Sequence, residues 1–90
     1  MGRKEAGVLI GLLQDGELLS MPFSRPLPTV GPRCHELRVR DESHEWRIVY
    51  RIDPTHIVVA HHFAKKGKSM QQREFVKAKK ILAMFDIANS

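Results

Sequence analysis

Apolar and polar residues change period along this chain. Near the N-terminus Ala6, Ile10 and Leu13, flanked by Leu9 and Leu12, recur at helical spacing, which predicts a helix over 3–14. Gly16 stands where a C-terminal cap would, and Gly11 inside the helix costs about 1 kcal/mol relative to alanine, consistent with close packing on a sheet. Further along, the period drops to two. Leu37 and Val39 alternate with Glu36, Arg38 and Arg40, and Trp46, Ile48, Tyr50 and Ile52 alternate with Arg47, Val49 and Arg51. These are strands over 35–40 and 46–52, with the Trp46 set as the core face and the arginines gathered on the other. The stretch 56–64 is apolar on both sides (Ile57, Val59 and Phe63; Val58, Ala60 and Ala64) and is predicted to lie inside the sheet, with His61 and His62 on opposite faces.

The intervening segments carry turn chemistry. Asp41 to Glu45 is polar enough for a hairpin loop, and Asp53-Pro54-Thr55 suits a tight turn. Between Ser20 and Cys34, Pro22, Pro26, Pro28 and Pro32 with Gly31 predict an ordered loop, because proline removes donors a helix or central strand needs. After Lys65-Lys66-Gly67-Lys68, Ser69 with Gln72 forms a capping box that opens a last helix reaching Asp86. Phe75, Ala78, Leu82 and Phe85 make its buried stripe, while Arg73, Lys77 and Lys80 line another face. The expected fold is α+β: an N-terminal helix, an antiparallel three-stranded meander and a C-terminal helix, in one domain spanning 1–90.

Charge narrows the partner class. A formal charge of +5 and a pI near 9.8 point to polyanions, either nucleic acid or an acidic protein segment. Cys34, the single cysteine, excludes a disulfide framework and a cysteine zinc cluster, and is expected to be a small, partly buried side chain. Gly2-Arg3-Lys4 and Val8 to Leu13 imitate a signal peptide, but the apolar run is brief and no small-residue cleavage pattern follows. The expectation is a cytoplasmic protein, since nothing approaches the roughly 20 apolar residues of a membrane span.

The strongest chemical cluster is cationic: Lys65, Lys66, Lys68, Arg73, Lys77, Lys79 and Lys80, opposed only by Glu74. From composition alone a solvated helix face explains it as well as phosphate binding does. Arg38, Arg40, Arg47 and Arg51 tilt the balance, because so many guanidinium groups on one sheet face repel one another unless a partner neutralises them. Metal-free RNA cleavage needs cations on the pentavalent phosphate, a base for the 2′-hydroxyl and a donor to the leaving oxygen. Of His35, His44, His56, His61 and His62, the last two rank highest for proximity to Lys65-Lys66. The histidine pair lacks a carboxylate or cysteine at ligand spacing, so no metal site and no cofactor are expected. Trp46 and Tyr50 could stack on bases, but sharing a face with Ile48 and Ile52 makes them core.

The segments HELRVRD, WRIVYRID and IVVAHHFAKK, with a terminal helix carrying Glu74 and Ala78, resemble the RelE/ParE toxin superfamily and within it the phage-derived HigB-like branch. The likeness runs from about Glu5 through Asp86. The resemblance implies a toxin of a type II toxin–antitoxin pair, cutting messenger RNA in the ribosome without a metal. It implies as partners an antitoxin of helix-turn-helix type, the ribosome and mRNA. Catalytic positions carried over are Arg38, Arg47 and Lys65 or Lys66, to which the histidine ranking adds His62. Arg40, Arg51, Lys68, Arg73, Lys77 and Lys80 form the expected RNA and ribosome contacts. Two departures stand out. Gln71 or Gln72 occupies the place of a family tyrosine, and the chain begins inside what resembles the first helix, so that either the sheet lacks an opening strand or the start is late. The alternatives are a gyrase inhibitor resembling the ParE branch and a degenerate toxin that retains only antitoxin binding.

Overall fold

The computed structural model of the protein describes residues 24–40 and 42–90, with the backbone alone at 68–70. The helix expected over 3–14 and the opening of the proline segment lie outside the described residues. Those described form β1 (Ser24–Pro26), β2 (Cys34–Arg40), β3 (Glu45–Ile52), β4 (Ile57–Ala64) and α1 (Lys68–Ala88). The strands lie in the order β1-β2-β3-β4, each antiparallel to the next. The meander and the last helix follow the alternation and the apolar stripe that predict them.

Among the described residues the sheet has four strands instead of three, because part of the proline segment is a strand. Ser24, Arg25 and Pro26 pair with Leu37, Glu36 and His35. Among the described residues β1 lies at an end of the sheet, where a proline interrupts no second ladder. The chain then turns through Leu27 and Val30, whose side chains are buried, and returns through Gly31 with φ 159°, a backbone state that disfavours side chains with a Cβ.

The second correction concerns the faces. The arginine-bearing face of the sheet is the one α1 covers: Val49, Val58, Ala60 and Phe63 pack with Ala78 and Leu82, and Phe75 and Phe85 join from the helix. Leu37, Val39, Ile48 and Tyr50 form a separate cluster, with Trp46, Ile52 and Ile57 against it. Thus the Trp46 set is core, as expected, but its opposite face is core as well. Each large apolar side chain buried under α1 contributes roughly 1.5–3 kcal/mol. Cys34 is buried in the same layer, and its burial pushes the thiol pKa up.

Strand β4 departs from simple alternation. Val49 stands opposite His61 while the next residue, Tyr50, stands opposite Val59, which leaves Ala60 as an extra residue. This bulge turns Val58 and Phe63 to one layer, where strict alternation separates them. Among the described residues β4 ends the sheet instead of lying inside it, and its apolar run is explained by helix cover on one side, with Val59 exposed. Helix α1 starts at Lys68 behind Gly67, whose φ of 155° is a glycine conformation, so Ser69 lies inside the first turn and is not the cap.

Candidate functional site

The β2–β3 register sets Arg38 directly opposite Arg47, on the face that also carries Glu36, Glu45 and Val49. Glu36 is 0% exposed and collects donors from three elements. Arg25 Nε on β1 donates to Oε1 at 2.9 Å, Gln71 Nε2 on α1 donates to Oε2 at 3.2 Å, and Arg47 Nε lies 3.4 Å from Oε1. Arg47 is only 3% exposed. Its Nη1 donates to the Trp46 carbonyl at 3.4 Å and its Nη2 to Glu45 Oε2 at 3.4 Å, while Nε is buried without a hydrogen-bond acceptor. Burial pulls the Arg47 guanidinium below its usual pKa, Arg38 adds to that and the Glu36 carboxylate opposes it.

Glu45, the first residue of β3, meets cations from three directions. Arg40 on β2 donates to its Oε1, Arg47 to its Oε2, and Lys65 Nζ lies 4.0 Å from Oε2. The Lys65 N–H also donates to the Glu45 carbonyl at 2.8 Å, which pins the lysine doublet to the start of β3. The Arg40 hydrogen bond, with smaller help from Arg47 and Lys65, holds the Glu45 carboxyl below its ordinary pKa. Arg38, Arg40, Arg47 and Lys65 therefore form one neighbourhood built by β2, β3 and the end of β4, and Lys66 is exposed beside it.

Other residues fall elsewhere. His62 stands across from Ile48, a member of the second cluster, and is exposed; His61 is the histidine that meets the helix. Glu74 accepts from His61 Nε2 and from Lys77 Nζ at 3.5 Å, and the His61 bond is the main cause of its lowered pKa. Register places His61 opposite Val49, two positions along from the Arg47–Phe63 pair. Arg51 holds two carboxylates: Nε and Nη2 donate to Asp53 at 2.7 and 2.9 Å, and Nη1 and Nη2 donate to Asp86 at 3.0 and 2.7 Å. It is buried, and it clamps α1 to the β3–β4 turn. Lys68 opens α1, and Arg73, Lys77 and Lys80 are exposed along it.

Three of these groups are not singled out by the sequence pattern. Glu36 shares its alternating face with Arg38 and Arg40, but nothing in the alternation marks it as the most buried of the three. Glu45 reads as the end of a loop, although its parity with Arg47 places it on the same face. The His61–Glu74 pair depends on the bulge, for which the sequence carries no visible signal. Among the described residues no group of three His, Cys, Asp or Glu is placed to hold a metal ion. No helix among them is long and apolar enough to cross a membrane.

Fold and site together define a small α+β protein whose cationic sheet face is partly neutralised from within. The family described as Phage derived protein Gp49-like (DUF891) matches residues 2–83, and the chain belongs to it. That family stands in the context of RelE-type toxins of toxin–antitoxin systems, which are endoribonucleases. No curated protein and no solved structure matches the chain.

Proposed function

We propose that this protein is the toxin of a type II toxin–antitoxin pair and that it cleaves messenger RNA on the ribosome without a metal ion. The observation that carries the reading is the meeting of Arg40, Arg47 and Lys65 around one partly exposed carboxylate, with Arg38 directly across the strand pair from Arg47. In this reading Arg38, Arg40 and Lys65 contact the scissile phosphate and stabilise the charge of its pentavalent state, with Lys66 beside them. Arg47 meets the same phosphate from beneath, at a site where water screens its charge little. Proton transfer falls to His61, whose ring Glu74 orients, in place of the more exposed His62. The helical cations Arg73, Lys77 and Lys80 hold ribosomal RNA, and an antitoxin covers the same cationic surface with an acidic segment. Domain 1–90 acts as a single unit in the cytoplasm.

Controlled expression in a bacterial host, with RNA ends mapped during growth arrest, tests the proposal. New 5′ ends within translated frames are the expected result, and they should vanish with Arg38→Ala. Growth arrest with intact transcripts sinks it. One observation favours a non-enzymatic, ParE-like second reading: Gln71, near the place of the family tyrosine, is tied to Glu36 and offers no base. Inhibition of gyrase supercoiling by the purified protein, with no RNA cut, supports that reading instead.

A further inference from the structure

The carboxylate at the centre of the cation cluster has a role that the nuclease reading leaves unassigned. We propose that Glu45 is an internal anion occupying the phosphate position of the free protein, and that an RNA phosphodiester binds by displacing it from Arg40, Arg47 and Lys65. The inference rests on the reading of this face as RNA-binding and adds how the face is kept before RNA arrives.

Geometry supports a displaceable hold. Charge-assisted N–H···O bonds close to about 2.7–2.9 Å, yet Arg47 Nη2 and Lys65 Nζ stand 3.4 and 4.0 Å from Glu45 Oε2. The one close partner, Arg40, is 75% exposed and sits at the end of its strand, so its grip adds little net energy. Glu45 lies on the same strand as Arg47, two residues away, and its side chain closes on Arg40 while standing off from the other two cations. A phosphodiester carries the same single charge on two non-bridging oxygens and approaches from solvent without that tether.

Access points the same way. Of the two carboxylates beside Arg47, Glu36 is fully buried and Glu45 is 34% exposed. Of these two positions, that of Glu45 is the one at which an anion from outside meets Arg47. Exchange of one carboxylate for one phosphate leaves the charge around buried Arg47 unchanged, so the guanidinium is never left unpaired in a poorly solvated site. The displaced carboxylate can turn to water, because β3 begins at this residue and the exposed hairpin precedes it. In the free protein the same carboxylate lowers the repulsion among Arg40, Arg47 and Lys65, which holds the cluster in place at some cost in RNA affinity.

The test compares Glu45→Gln and Glu45→Ala with Glu42→Gln, an exposed hairpin carboxylate of equal charge outside the cluster, using full-length folded protein and a short fluorescent single-stranded RNA. Anisotropy titrations at several KCl concentrations report affinity and salt slope, and thermal melts check folding. Both Glu45 variants should bind RNA about fivefold more tightly than wild type, with a salt slope steeper by about one, while Glu42→Gln shifts affinity by less than about twofold. Tighter binding that is equal for Glu42 and Glu45 variants reflects net charge alone and overturns the proposal while leaving RNA binding intact. Unchanged affinity in folded Glu45 variants overturns it too. Failure of wild type and variants alike to bind RNA, free or on ribosomes, overturns the nuclease reading together with this inference.

Discussion

Glu36 shows how much of the site depends on one residue. Carboxylates are seldom fully buried unless paired, and this one is paired with groups from β1, β3 and α1. Replacement by alanine leaves Arg47 inside the protein without its deeper partner, and breaking a buried pair in this way costs about 3–5 kcal/mol. Urea unfolding of Glu36→Ala should show that loss; a change below about 1 kcal/mol means that water reaches Arg47. By contrast Tyr50→Phe removes only the 2.6 Å bond between Tyr50 and Ser24, for about 1 kcal/mol. If the proposed nuclease reading holds, Arg38→Ala acts on chemistry: RNA cleavage should fall on the order of a hundredfold while the far-UV circular dichroism spectrum stays unchanged. Alternation is enough to put Arg38, Arg47 and Glu36 on one face. Which of them lies deep depends on where the last helix crosses, and a period of two says nothing about that.

At the level of elements, the strands and α1 are legible because each has a strong period: two in β2 and β3, and an apolar stripe in α1 whose members Ala78 and Leu82 are buried as expected. What the periods do not supply are features that break them. Ala60 shifts the register of β4 and so decides which residues meet the helix; Ser24–Pro26 pairs in a segment where prolines argue against strands. Arg51 is the other case, since its alternating position suggests a binding residue and its geometry makes it a brace between β3, the following turn and α1. Its hydrogen bonds hold both Asp53 and Asp86 below the ordinary aspartate pKa near 3.9. Because the folded-state values are depressed, the stabilisation is complete above the unfolded value and is lost as pH falls through the folded ones. The melting temperature should therefore drop from about pH 4 downward. Asp86→Asn should melt lower than wild type at neutral pH and decline less steeply in acid. Parallel melting curves across that range mean that Arg51 and Asp86 do not hold the helix. Within the stripe itself, Leu82→Ala should cost about 2–5 kcal/mol, since its side chain lies between helix and sheet.

Across the whole molecule positive charge has two locations with different physics. The sheet cluster is partly buried and countered by Glu36 and Glu45, so in the proposed nuclease it acts at short range on a phosphate brought to it. Arg73, Lys77, Lys79 and Lys80 of α1 stand in solvent, apart from the Phe75, Ala78, Leu82 and Phe85 stripe, and act through the field they spread over the surface. In the proposed function such a surface draws RNA of any sequence and orients it, and its contribution is counterion release, which salt weakens steeply. Reversal of Lys77 and Lys80 to glutamate should leave the helix packed, because both side chains are exposed. Lys77 does pair with Glu74, so Lys80→Glu alone is the cleaner variant for stability and the double variant the stronger one for binding. Every phosphate that a variant no longer neutralises should flatten the dependence of log affinity on log salt by about 0.9, so the double reversal should reduce the slope for ribosome binding by roughly two. The direct measurement is ribosome cosedimentation at several salt concentrations. A slope that stays the same assigns the polyanion contact to the sheet alone, and α1 then serves to cover the core and carry Gln71, Glu74 and Asp86 to their partners.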